Sequence, residues 1–155
     1  NTIPVPVLAT EFDEMAIALS PDGKWLAYQS NETGLTEVFV RPFPNTDAGK
    51  QQVSSGGGVA PLWSRDGKEL FYLNSKREMM ASRATAGAMI RLSTPVVLFR
   101  LREELLGADA TYYTPWDVAR DGRFIMARLV NAGDGDAGVV VVENWTQTLK
   151  AKVKR

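Results

Sequence analysis

Apolar residues along the chain fall in short runs separated by turn-forming residues. Three segments share one pattern: Met15 to Ser30 (MAIALSPDGKWLAYQS), Val59 to Asn74 (VAPLWSRDGKELFYLN) and Thr114 to Leu129 (TPWDVARDGRFIMARL). In each, an apolar run leads into Asp-Gly, then Lys or Arg, then a second apolar run. Asp bonds to its own following backbone, and Gly accepts positive φ without a Cβ penalty. An Asp-Gly pair between two apolar runs predicts a β-hairpin. Runs such as Trp25-Leu-Ala-Tyr-Gln29 and Leu70-Phe-Tyr-Leu73 are too short and too aromatic for helices. Third strands are expected at Glu37–Arg41, Glu78–Ser82 and Val139–Val142, and fourth strands at Lys50–Ser54 and Val96–Arg100. Gly, Pro and Asn fill the connections, and LREELL (Leu101–Leu106) is expected as a helical turn.

The pairs Asp22-Gly23, Asp66-Gly67 and Asp121-Gly122 stand 44 and 55 residues apart. The first spacing suits a four-stranded propeller blade, and the second allows an insertion. The expected class is therefore all-β, a single domain over 1–155 with three blades at about 15–54, 59–100 and 113–143. The third blade lacks a fourth strand, and Val5–Thr10 precedes the first as a closing outer strand would. Rings typically have about four to eight blades. Buried apolar surface stabilises by ~25 cal/mol per Å², so two naked blade faces would cost on the order of 10 kcal/mol. Either the chain is a piece of a longer propeller, or two copies pair head to tail into a six-bladed homodimeric ring. Two-fold symmetry and whole units at both ends favour the second.

Composition narrows the chemistry. The chain has 155 residues, 45% hydrophobic and 23% charged, the balance of an ordinary globular domain. Eighteen basic and eighteen acidic side chains cancel, so nothing draws the whole molecule to nucleic acid. Cysteine is absent, which excludes disulfides and thiolate sites. Histidine is absent as well, which removes Ser-His-Asp triads and His-ligated zinc. No apolar run approaches the ~20 residues of a membrane-spanning helix, and no signal core opens the chain. The start at Asn1 fits a trimmed product or a piece of a longer chain.

Ser20-Pro-Asp-Gly-Lys-Trp-Leu-Ala-Tyr28 resembles the repeat of TolB-like propellers, an S-P-D-G-[KR] turn followed by an aromatic or aliphatic pair. Ser64-Arg-Asp-Gly-Lys68 departs at Arg65, and Ala119-Arg-Asp-Gly-Arg123 has lost both Ser and Pro. More narrowly, Glu37-Val-Phe-Val-Arg-Pro-Phe-Pro44, Gly56-Gly-Gly58, Pro61–Gly67, Asn144-Trp-Thr146 and Leu149-Lys150 resemble the C-terminal propellers of bacterial serine/threonine protein kinases. No kinase signature is present. The resemblance implies a bacterial, WD40-like binding domain, periplasmic or otherwise outside the cytoplasm, and not a catalytic one.

Each Asp of the Asp-Gly turns is expected to serve its own turn. Asn131–Gly138 lacks the acidic ladder of a calcium loop, and Gly56-Gly-Gly58 lacks the helix and Lys-Ser/Thr of a phosphate loop. Lys150, Lys152, Lys154 and Arg155 read as a solvated basic end. Ligands of propellers meet the face where the inner strands begin. That face is expected to carry Glu11–Glu14, Ser55–Ala60, Asp109–Thr114 and the tips at Asn31, Asn74 and Asn131. Glu14, Arg77, Asp109, Tyr112 and Tyr113 are the candidate binding residues, a mixture of charge and phenol suited to protein or peptide. The expected function is a non-catalytic scaffold without catalytic residues, metal or cofactor. The alternatives are a propeller hydrolase or lyase acting through channel carboxylates, and a structural half-propeller that exists to assemble.

Overall fold

Each Asp-Gly pair closes a hairpin. In the computed structural model the described residues are 3–85, 87, 89–105 and 112–128, with the backbone of 139–142. They form three antiparallel sheets. The first contains β1 (Glu14–Leu19), β2 (Trp25–Ser30), β3 (Glu37–Pro42) and β4 (Gln51–Gln52), in chain order. The second contains β5 (Gly58–Trp63), β6 (Glu69–Asn74) and β7 (Glu78–Thr85). Its outer place is shared by β8 (Arg91–Leu92) and β9 (Val96–Arg100), both paired to β7. The third contains β10 (Trp116–Val118), β11 (Phe124–Ala127) and β12 (Val139–Val142). No helix among the described residues is long and apolar enough to cross a membrane.

The middle sheet is buried on both faces because β6 is apolar at consecutive positions. Leu70 and Tyr72 join Trp25, Ala27, Val38, Val40 and Trp63 in a core against the first sheet. Phe71 and Leu73 join Met79, Trp116, Val118, Phe124 and Met126 in a core against the third. Successive strand side chains point to opposite faces, so these four residues serve two junctions. Phe71 and Phe124 meet edge to face, centroids 5.0 Å apart, a geometry the ring quadrupoles favour.

The repeats diverge at two points. In the inner strands, Ala16 (φ 48°) and Ala60 (φ 54°) form matching bulges six residues before their Asp. Pro115 holds that place in the third repeat and cannot adopt positive φ. The third ladder accordingly begins at Trp116 with regular register, later than the expected start at residue 113. The second divergence lies in the turn. Ser20 Oγ donates to Asp22 Oδ1 (2.6 Å) and accepts from Trp25 N (2.9 Å). Ser64 repeats this with Asp66 (2.8 Å) and Glu69 N (2.9 Å). Both turns close with Ser N–H donating to a carbonyl five residues on, Trp25 or Glu69. Ala119 has no hydroxyl, and its N–H donates to Arg123, four residues on. A one-residue slip turns every side chain to the other face. Phe124 and Met126 therefore fill the core, while Ile125, aligned with buried Leu70, is 38% exposed.

Residues 5–10 pair with no described strand of this chain; the closing strand expected there would pair with a second copy. Pro4 and Pro6 withhold two ladder donors, and the segment is tied down through Val7 O, which accepts from Thr46 Oγ1 at 2.7 Å. Over 101–105 a single turn forms, Leu105 N donating to Arg102 O (3.1 Å), where a helical turn is expected; Leu106 lies outside the described residues. Leu101 and Leu105 are buried in the second core.

Candidate functional site

The loop end of the first two sheets is organised around a buried acid. Glu37 opens β3 at 3% exposure. Its carboxylate accepts from Ser54 Oγ and from Gly57 N (2.9 Å). Ser54 Oγ in turn accepts from Val38 N at 2.7 Å. Two glycines with positive φ, Gly56 and Gly57, let the backbone turn its amide toward this carboxylate. Tyr72 lies nearby in the core, and its hydroxyl pKa is pushed up to about 12, first by burial and then by the charge of Glu37. Between the sheets, Gln29 Oε1 accepts from Ala60 N at 2.9 Å, satisfying the bulge amide.

The expected binding residues occupy this end without converging. Glu14 begins β1, and its carboxylate accepts from Thr10 Oγ1 four residues back. Arg77 is structural. It sits at φ 60°, and Nη2 donates to the carbonyls of Arg102 (3.0 Å), Glu103 (3.4 Å) and Leu105 (2.7 Å), fastening the 102–105 turn. Tyr112 and Tyr113 are 79% and 59% exposed, available for contact. Asp109 lies outside the described residues. No hydrogen bond or ion pair links any two of the four described residues. Among the described residues no group of three or more Asp or Glu is placed to hold a metal ion.

A separate cleft opens at the opposite end, between the Asp-Gly turns of the second and third sheets. It encloses about 470 Å³ and is lined by Arg65, Asp66, Glu69, Phe71, Arg120 and Asp121, among others. Most of its charges are engaged. Arg65 Nε donates to Val118 O (2.9 Å), and Nη2 pairs with Asp117 (2.5 Å). Asp66 is held below the usual carboxylate range by the Lys68 amide and the Ser64 hydroxyl. Asp121 is held low by the Arg123 amide, and pairs with Arg123 Nε at 2.9 Å. Glu69 differs. Burial pushes its carboxyl pKa up, the Arg83 charge opposing this, and among the described residues no hydrogen bond reaches its oxygens.

Glu69 and Arg65 are not among the residues singled out from the sequence, although aligning the repeats exposes them. At the first junction Trp25 holds the place of Glu69 and Pro21 that of Arg65. Trp25 is buried in the core there, and Pro21 stands over Gly67, 3.5 Å from where a Cβ would be. The Trp-to-Glu and Pro-to-Arg exchanges leave the second junction open.

No protein family profile matches the chain, and no curated protein matches it. Solved structures do. An oligogalacturonate lyase from Vibrio parahaemolyticus aligns over 77% of this chain and 32% of its own, with 18% identity and a TM-score of 0.51. An oligogalacturonate lyase in complex with manganese aligns over 73% and 30%, with 19% identity and a TM-score of 0.48. TolB from Acinetobacter baumannii aligns over 87% and 42%, with 15% identity and a TM-score of 0.40. The chain thus spans less than half the length of each. At these identities the likeness concerns the fold alone: an all-β, propeller-like arrangement of antiparallel sheets.

Proposed function

We propose that the chain is half of a six-bladed propeller closed by a second copy, and that the ring is a non-catalytic scaffold for protein or peptide. One observation carries the assembly. Five and three residues before each Asp, the inner strands place side chains toward the preceding sheet. In the third repeat these are Trp116 and Val118, 5% and 2% exposed, and in the second they are buried Pro61 and Trp63. In the first they are Ile17 and Leu19, 71% and 48% exposed. The first sheet thus presents an apolar face that no described residue covers, which supports a second copy as its neighbour. Covering an aliphatic side chain contributes about 1.5–3 kcal/mol. The scaffold role is supported by the repeated Asp-Gly turns and by a sequence without histidine or cysteine.

Sedimentation equilibrium tests the assembly. A species of twice 17.0 kDa is expected, and Leu19→Glu should return it to one chain per particle. A wild-type monomer at high micromolar concentration would refute the pairing and favour a continuation of the ring in a longer chain. Panning a random peptide library tests the binding role. Enriched peptides should lose affinity for Tyr112→Ala and Tyr113→Ala, and no enrichment against the folded dimer refutes it.

A further inference from the structure

We propose that the cleft between the second and third Asp-Gly turns binds a small zwitterionic group: a basic side chain together with a nearby carboxylate, as in a peptide ending in lysine. It lies at the opposite end from the loop face and does not depend on the assembly.

The shape comes first. About 470 Å³ lies within the range of ligand pockets, roughly 300–1,000 Å³. The equivalent space at the first junction is filled by Trp25. Phe71 and Val118, 1% and 2% exposed, form an apolar floor beneath the cleft. The charges then choose the ligand. Arg65, Asp66 and Asp121 are engaged by Asp117, Ser64 and Arg123. Two groups on the wall have no hydrogen bond or ion pair with a described residue: the half-buried Glu69 carboxylate, which has Arg83 opposite it on β7, and the exposed Arg120 guanidinium. They have no bond to each other. A half-buried carboxylate without a hydrogen-bonding partner is costly; Arg83 offsets part of that cost, and a cation in the cleft that donates to the carboxylate offsets more. Arg120 would repel a lone cation. A ligand carrying both signs meets both groups, while its stem spans the cleft between them.

The probe is Nα-acetyl-lysine, which has one ammonium and one carboxylate, titrated into isotope-labelled protein. Saturable shifts are expected at amides of residues 64–71 and 118–123, with a millimolar Kd. Glu69→Gln should weaken binding about tenfold, the loss of one charge-assisted contact. Arg120→Ala should do likewise for Nα-acetyl-lysine but not for its carboxamide, which lacks the negative charge. Glu69→Trp, which restores the residue of the first junction, should abolish binding while the remaining amide spectrum stays folded. No saturable shift at tens of millimolar, equal binding by Glu69→Gln, or equal binding of Nα-acetyl-norleucine would overturn the site.

Discussion

Replacing Ser64 by Ala removes the clamp of the second turn and little else. Ser64 is 9% exposed, so its hydroxyl is not readily replaced by water. Two bonds go: the donation to Asp66 Oδ1 and the acceptance from Glu69 N. A bond to a charged group contributes about 1.5–3 kcal/mol and a neutral one about 1 kcal/mol. Asp66 is 58% exposed at its side chain, and solvent compensates much of the first. The expected loss is about 1.5 kcal/mol at neutral pH. A pH signature accompanies it. The Asp66 carboxyl is held low in the folded state, first by the Lys68 amide and then by Ser64. Its contribution is therefore present above the unfolded pKa of about 3.9 and is lost as pH falls through the folded value. The gap between wild type and variant should narrow below about pH 4. Urea unfolding followed by tryptophan emission, at one protein concentration and several pH values, reads both. A gap under about 0.5 kcal/mol at neutral pH, or one that is unchanged in acid, would refute the clamp. Ala119→Ser is the control. The third turn closes one residue tighter, so the new hydroxyl should change stability by less than about 0.5 kcal/mol.

Other outcomes follow from close packing and from buried donors. Gly58→Ala would set a Cβ 2.3 Å from Ser54 Oγ and 3.3 Å from the Tyr72 ring. Relief would displace the hydroxyl that serves Glu37 and Val38, and a loss of about 2–3 kcal/mol is expected in urea unfolding. Arg77→Met keeps the stem and removes the donors to three carbonyls. Amide exchange at Leu101 and Leu105 should accelerate, with a global loss of about 2 kcal/mol.

The hairpins were legible because Asp-Gly between apolar runs admits few alternatives, and all three turns lie where the sequence places them. The outer strand at 96–100 and the short pairing at Gln51–Gln52 also follow their patterns. The slip in the third sheet was harder to see. Phe124-Ile-Met-Ala127 is apolar throughout, so alternation does not say which face is buried; the missing Ser at Ala119 is the signal. Residues 5–10 read as an outer strand from their place ahead of the first repeat, and within one chain they have only the Thr46 tie at Val7 O. The hydrogen bonds of Arg77 were not legible, because their partners, backbone carbonyls at 102–105, leave no trace in side-chain identity. The acid at Glu37 and the cleft acid at Glu69 both follow from position: one beside a glycine connection, the other where its repeat carries tryptophan.

The bulge contact has one more consequence. At the first junction a glutamine in β2 serves an alanine amide in β5. At the second, the same two places hold Leu73 and Pro115, an apolar chain and a residue with no amide hydrogen to serve. Each pair is matched within itself and mismatched with the other. Transposing the units would confront glutamine with proline and leucine with a bare amide, stranding a polar group each time. The linear succession of these sheets is thus encoded twice, once by chain connectivity and once by a lock whose two halves have diverged together.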